Sequence, residues 1–483
     1  MNEQDIYEGI GQVDDDVLLR SEKKRRSRRP WWAAAAAAAV VAVAVTVGLF
    51  FPRGSSSDSA GAPLVTMTHA LAEAHYPEMA PYPDETAADF EAQYDAWWTD
   101  KKEQDREIDN LEGLKAYART SIPAFLSGAE GENRAYSPLN VYMALSMLAE
   151  LTDGESRAQI LTLLGSDSLE ALRGQANALW NDHYSSDGAT NSILASSLWL
   201  DECVPFDQNT LDTLAETYYA SSFQGDLGTE EMNQALQDWL NGQTGGLLED
   251  QTGQLTLDPE TLLALATTVY FQAKWDSTFS EEKTAPQTFH SPAGDVTVDF
   301  LHRDSSGYYF WGEHFSAVGL RLANGGGTMW LLLPDEGYTP EDLLADQEAL
   351  DFLTTGWGWA QGQNLMVHLA LPKFDVSSQI DLGDGLRQLG VTDVFDAGLA
   401  DFSPMLAGDA QGIFVSQAKH GVRVAIDEEG VTAAAYTMMA ADGSSAPPEE
   451  EIDFTLDRPF LFALSDDQGL PLFAGVVNQP QGQ

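Results

Sequence analysis

The chain has 483 residues, 43% of them hydrophobic, enough for one large domain with appendages or for two to three ordinary domains. Its formal charge of −50, from 25 basic and 75 acidic side chains, repels nucleic acid phosphates and anionic lipid and favours cationic partners. A single cysteine, Cys203, excludes an internal disulfide, so stability must come from packing.

The acid is unevenly spread, because residues 1–53 hold eight basic and seven acidic side chains and everything beyond carries the excess. Residues 31–51 are tryptophan, alanine, valine, leucine and phenylalanine, broken only by Thr46 and Gly48. At about 1.5 Å per residue such a helix spans roughly 30 Å of hydrocarbon. The flank KKRRSRR at 23–29 is densely basic and Arg53 stands alone on the far side, so the positive-inside rule places the N-terminus in the cytoplasm and everything after Pro52 outside. The competing reading is a cleaved signal peptide cut near SAGA at 59–62. It requires a positive region about 30 residues long and an apolar run beyond the usual 7 to 15. The expected organisation is a cytoplasmic tail at 1–29, a transmembrane anchor at 30–52, an extracellular linker and N-terminal extension at 53–108, and the main domain at 109–483. Within the extension, GSSSDSAGAP (54–63) is a flexible tether. Residues 91–109 mix aromatics and charges at near-helical spacing, and Trp97 and Trp98 are costly to leave bare. This segment is either packed on the domain or a stalk.

Enzymatic motifs are missing from the chain. No GxSxG elbow, HExxH, CxxC or Walker loop occurs, and no two of the eight histidines have metal-ligand spacing. Cys203 lies in LWLDECVPF without a histidine nearby in sequence. The run GGG at 325–327, between LRL and MWLLL, is a hairpin turn rather than a phosphate loop. No catalytic residue, cofactor or metal ligand is therefore expected. Farther on, Val422, Val424 and Ile426 alternate with Arg423, Ala425 and Asp427, as in a half-buried strand running up to Gly430, where a hinge needs free backbone dihedrals. In the next stretch, EEGVTAAAYTMMAADGSS at 428–445, extension places Val431, Ala433, Ala435, Thr437, Met439 and Ala441 on one side, all small or apolar. The other side holds Tyr436 and Asp442. The following GSSAPPEEE is turn and loop chemistry, so the segment has the composition of a strand and the setting of a loop.

IDEEGVTAAAYT at 426–437 resembles the hinge of the serpins, and FTLDRPFLFAL (454–464) followed by PLFAGVVNQP (471–480) is similar to the strand pair closing the serpin C-terminus. YSPLNVYMALSMLAELTDGESRAQILTLLG (136–165) resembles the buried second helix and its neighbour, and MNQALQDWLNGQTGGLLED (232–250) the helix covering the main sheet. Residues 269–289 and 369–405 match two further family blocks, so the resemblance covers roughly 109–481. It implies an α+β serpin fold, about nine helices around three β-sheets with an exposed reactive-centre loop, here preceded by one transmembrane helix. The short basic tail and alanine-rich span suggest a membrane-anchored member of bacterial type, at the cell surface.

Carried over residue by residue, the resemblance makes Glu428, Glu429, Gly430, Val431, Thr432, Ala433, Ala434 and Ala435 the loop hinge. It puts Ser137 and His420 in the polar shutter cluster beneath the opening of the main sheet. Asn140 stands where the family commonly has serine and Thr267 where it commonly has asparagine, so a rearranged but satisfied network is expected. Trp275 matches the aromatic at the top of the sheet. The implied function is suicide inhibition of serine proteases: acyl-enzyme formation at the loop, then insertion of the freed loop into the main sheet. Counting seventeen residues from Glu428 places the cut between Ser444 and Ser445, although the loop is longer than usual and the bond lies anywhere in 439–446. Small residues there suit elastase-like or subtilisin-like proteases, and the absence of lysine and arginine argues against trypsin-like ones. The expected partners are a covalently held serine protease and, through residues 31–51, the membrane. The domain is expected to be monomeric and to bind no heparin, since 168–187 holds one arginine and no lysine. A non-inhibitory binding or adhesion module and an extracytoplasmic sensor remain the alternatives.

Overall fold

The computed structural model describes residues 70–83, 87–104, 106, 108–129, 131–246, 256–408, 412–431 and 448–480. The described residues from Ala70 onward belong to one compact unit; residues 1–69 lie outside the described residues, as do Thr432, Ala433, Ala434, Ala435, Ser444 and Ser445.

Ten helices are described: α1 (Phe90–Gln104), α2 (Leu111–Leu126), α3 (Pro138–Leu151), α4 (Gly154–Leu163), α5 (Leu169–His183), α6 (Gln208–Thr217), α7 (Glu230–Gln243), α8 (Pro340–Leu344), α9 (Gln347–Leu353) and α10 (Leu382–Gln388). Side-chain caps start many of them: Asn110, Ser137, Ser168, Asp207 and Thr229 each accept a hydrogen bond from a backbone N–H of the first turn. Helix α3 is buried on every face except at Glu150. It is the central pillar of the core.

The strands form two hydrogen-bonded sheets. The first runs β1 (Ala70–Ala72), β5 (Ala220–Gly225), β4 (Asn191–Asp201), β6 (Leu263–Lys274), β13 (Gln417–Ala425), β12 (Asp375–Asp381), with β3 (Ser185–Ser186) on β4 and β14 (Gly430–Val431) on β6. The second runs β15 (Glu451–Thr455), β11 (Gly362–Pro372), β8 (Gly294–Trp311), β9 (Phe315–Arg321), β10 (Thr328–Pro334), β16 (Phe460–Ser465), β17 (Pro471–Val477), β2 (Arg134–Tyr136), with β7 (Ala285–Ser291) on β8. Three sheets were expected. Strand β8, 18 residues long, pairs with β7 over its first half and with β9 at its end, which joins into one path strands that shorter elements would leave separate.

Of the two readings of the N-terminal extension, its contacts are those of a packed one. Strand β1 adds to the edge of the first sheet. Trp97, 2% exposed, donates through Nε1 to Asp187 Oδ2 at 3.1 Å, and Tyr82 meets its ring edge-on at 5.0 Å. Trp98 stays 40% exposed.

The expected placement in the cell membrane, single pass with a cytoplasmic N-terminus and an extracellular domain, does not stand. Among the described residues no helix is long and apolar enough to cross a membrane. The longest, α2, has 16 residues and carries Glu112, Lys115 and Arg119. At about 1.5 Å per residue it falls short of the roughly 30 Å of hydrocarbon a span must cross. The run 31–51 lies outside the described residues.

Candidate functional site: the clasp and the latch of the first sheet

Strands β6 and β13 are neighbours in the middle of the first sheet but are paired over only part of their length. The parallel ladder joins Gln417↔Ala264 through Gly421↔Thr268 and ends there. Above it, Val422 and Val424 continue on β13, bonded on its other side to β12, while β6 continues to Lys274. Strand β14 takes up the far end of β6, antiparallel, with Gly430↔Lys274 and Val431↔Ala273. Between clasp and latch, the edge of β6 at 269–272 has no ladder partner on that side among the described residues.

The clasp is polar and buried. His420 Nε2 accepts from the Ser137 backbone N–H at 3.1 Å, so in the neutral ring Nδ1 carries the proton and donates to Thr267 Oγ1 at 2.8 Å. Burial pushes its pKa down to about 3. Thr268 Oγ1 adds a bond to the Gly421 carbonyl at 3.2 Å, and Tyr136 packs edge-on to the imidazole at 5.7 Å. Ser137 Oγ accepts from the Asn140 N–H at 3.3 Å, capping α3. The exchange of asparagine and hydroxyl thus leaves both imidazole nitrogens paired. It fails at Asn140, whose amide nitrogen and oxygen are both buried without a hydrogen bond. Such a group costs about 1–3 kcal/mol, and here that cost sits one helical turn from the clasp.

In the latch, hinge residues named from the sequence meet two partners it did not single out, Lys373 and Thr284. Asp427 Oδ1 accepts from the N–H groups of Glu429 and Gly430 at 2.8 and 3.1 Å, and its N–H donates to the Gly430 carbonyl at 3.0 Å. Glu428 sits between Lys373 Nζ, 2.8 Å away, and Thr284 Oγ1, which donates at 2.8 Å. Burial alone would raise the Glu428 carboxyl, but Lys373 and Thr284 outweigh it and hold the pKa below the ordinary glutamate value. Trp275 is fully buried, donates through Nε1 to the Asp427 carbonyl at 2.9 Å and through its backbone N–H to Glu429. Beside it, one carboxylate oxygen of Glu429 is buried without a partner. Val431, 1% exposed, closes the latch from the core side.

Gly430 departs from its expected role. Its φ is not among the positive ones, so no special dihedral requires glycine. A Cβ there would instead run into the Ala273 carbonyl and Lys274 Cα. Glycine is needed for close approach of the hinge to β6. Cys203 has no chemistry to offer: it is exposed, and the neighbouring Asp201 pushes its thiol pKa up, away from the reactive thiolate.

Residues 115–480 match the family model described as Serpin (serine protease inhibitor). Serpin-ZXA of Oryza sativa subsp. japonica is 29% identical over 384 residues, covering 76% of this chain and 95% of the relative. The leukocyte elastase inhibitor of Homo sapiens is 29% identical over 378 residues, covering 76% and 98%. Among solved structures, the native state of tengpin, a thermophilic serpin, superposes with a TM-score of 0.69 at 24% identity, covering 78% of this chain and 96% of that one.

Proposed function

Because the chain belongs to the serpin family, whose members are protease inhibitors rather than proteases, we propose that it is an inhibitory member that traps a serine protease by inserting its own cleaved loop into the first sheet. The protease serine Oγ attacks the carbonyl at the reactive bond, assigned to Ser444, and an ester to that carbonyl replaces the Ser444–Ser445 peptide bond. The departing nitrogen takes the proton and leaves as the new N-terminus at Ser445. The freed strand then enters between β6 and β13.

The observation that carries this reading is the antiparallel start of β14 on β6, beside an edge at 269–272 with no ladder partner among the described residues. Continuing its register down β6 would put residue 441 opposite Leu263, so that 430–441 matches β6 in length, 12 residues each. Val431 already faces the core, and alternation would send Ala433, Ala435, Thr437, Met439 and Ala441 to the same side. Each is small or apolar and can be buried without an unpaired charge. Thr437 would arrive opposite Thr267, so insertion must break the bond from Thr267 to His420. The clasp is thus the barrier and the latch the starting point.

Small residues at 439–446 favour elastase-like or subtilisin-like targets, and the relative named leukocyte elastase inhibitor agrees with that class. Glu449, Glu450 and Glu451 are exposed beside the loop and would speed the encounter with a cationic protease, in a salt-dependent way. The test is to mix the full chain with pancreatic or leukocyte elastase and run a denaturing gel. A covalent band at the summed mass, with release of a C-terminal peptide beginning within 440–447, is the expected result. Cleavage with no such band would replace this reading with a non-inhibitory binding module.

A further inference from the structure

At the C-terminal end of α5, His183 turns inward until only 6% of its side chain is exposed. Its Nδ1 lies 3.0 Å from the Leu179 carbonyl, one turn back in the helix. A carbonyl can only accept, so Nδ1 carries a proton and, in the neutral ring, Nε2 presents a lone pair. Asp466 Oδ2 lies 3.3 Å from that nitrogen, and both atoms are buried without a hydrogen bond. Asp466 is fixed from behind: its other oxygen accepts from the N–H groups of Gln468 at 2.9 Å and Leu470 at 2.7 Å, in the turn between β16 and β17. Asp182 brings a third ligand atom, all three lying within 4.8 Å of one another.

Each feature belongs to metal-site chemistry. A ligating imidazole is usually oriented by donating its other N–H to a carbonyl or carboxylate, and a ligating carboxylate by hydrogen bonds to its second oxygen. His183 and Asp466 have these supports in place before any ion arrives. Two opposed acceptors at 3.3 Å repel unless a positive charge lies between them, and a helix C-terminus, where the peptide dipoles leave partial negative charge, adds to the attraction for a cation. A cleft of about 250 Å³, into which Asp182, His183 and Asp466 all face, gives solvent access and room for water to complete a coordination shell. Lys101 also borders this cleft, with its ammonium directed to the Asn324 carbonyl at 2.8 Å.

We infer that Asp182, His183 and Asp466 form a divalent-metal site that ties the end of α5 to the β16–β17 turn. One imidazole nitrogen and two carboxylate oxygens make a donor set for Zn²⁺ rather than for Mg²⁺ or Ca²⁺, which prefer oxygen throughout. The rival occupant of the gap is a proton on Nε2. Burial opposes it, but Asp466 and Asp182 outweigh burial and the ring titrates above the usual histidine value, so the experiment must separate metal from proton.

The full chain, stripped with a chelator, is titrated with ZnCl₂ by calorimetry at pH 7.5. One saturable equivalent is expected, persisting in a hundredfold excess of MgCl₂, and at a hundredfold excess over Kd the melting temperature rises by roughly 2–5 °C. His183→Gln and Asp466→Asn weaken that equivalent at least tenfold, with circular dichroism confirming that both variants fold. His290→Gln, which removes the imidazole of the exposed pair with Asp295, leaves it unchanged and controls for Zn²⁺ held loosely by the acidic surface. Equal binding by His183→Gln, or displacement by MgCl₂, overturns the proposal. So does an NMR spectrum in which the His183 ring keeps both protons in excess ZnCl₂.

Discussion

With Nε2 accepting from Ser137 and Nδ1 donating to Thr267, His420 has no room for a second proton that does not break the bond to Ser137. Its folded pKa of about 3 lies well under the roughly 6.5 of an unfolded histidine. A depressed folded pKa means that the contribution to stability is complete above the unfolded value and is lost as pH falls from about 6.5 toward 3. Glu428 acts in the same sense, since its lowered carboxyl stabilises the latch until acid protonates it. Calorimetry of the uncleaved protein from pH 7.5 to 4 should therefore show a falling melting temperature. The fall should be shallower in His420→Asn, which keeps a polar group but cannot take up the proton. An identical slope in the variant would remove His420 from the barrier.

Trapping, as proposed, requires one strand to take its place beside β6. Val431 is the first side chain to enter the core, and Val431→Arg would require a charge to be buried there ahead of the rest. That variant should be cut by elastase at an undiminished rate while the covalent band on a denaturing gel drops at least tenfold. A full-strength band would mean that burial of position 431 does not gate insertion. The strand expected of 432–441 lies outside the described residues, but part of this region was legible in the sequence, where the alternation at 422–426 marks β13. The closing contacts were not, because Lys373 and Thr284 reach Glu428 from 55 and 144 positions away and no local period records such a meeting. Gly430 stood out for the wrong reason, since close approach leaves the same mark on a sequence as a special dihedral. Helix α3, buried nearly all round, lacks the one-sided stripe by which surface helices announce themselves, and only family resemblance located it. The approach of His183 to Asp466, like that of Lys373 to Glu428, leaves no local mark, because spacing along the chain does not record it.

In the proposed mechanism, the first sheet takes up one further strand supplied by this chain. The sheet is clasped at 264–268 and latched at 273–274, and between them the edge of β6 away from β4 has no ladder partner among the described residues. A strand inserted between β6 and β13 would gain ladder bonds on both of its sides and give up the five-pair ladder it replaces; at roughly 0.5–1.5 kcal/mol per net bond gained, the uncleaved protein is expected to be metastable relative to its cleaved form. The unpaired Asn140 amide fits a closed sheet that is not held as firmly as it could be. The most direct measurement is the melting temperature before and after a protease nicks the loop between 432 and 447. A rise of at least about 10 °C on cleavage is predicted. An unchanged melting temperature in the nicked protein would contradict the account, because a loop that gains nothing by joining the sheet cannot disable an enzyme attached to it.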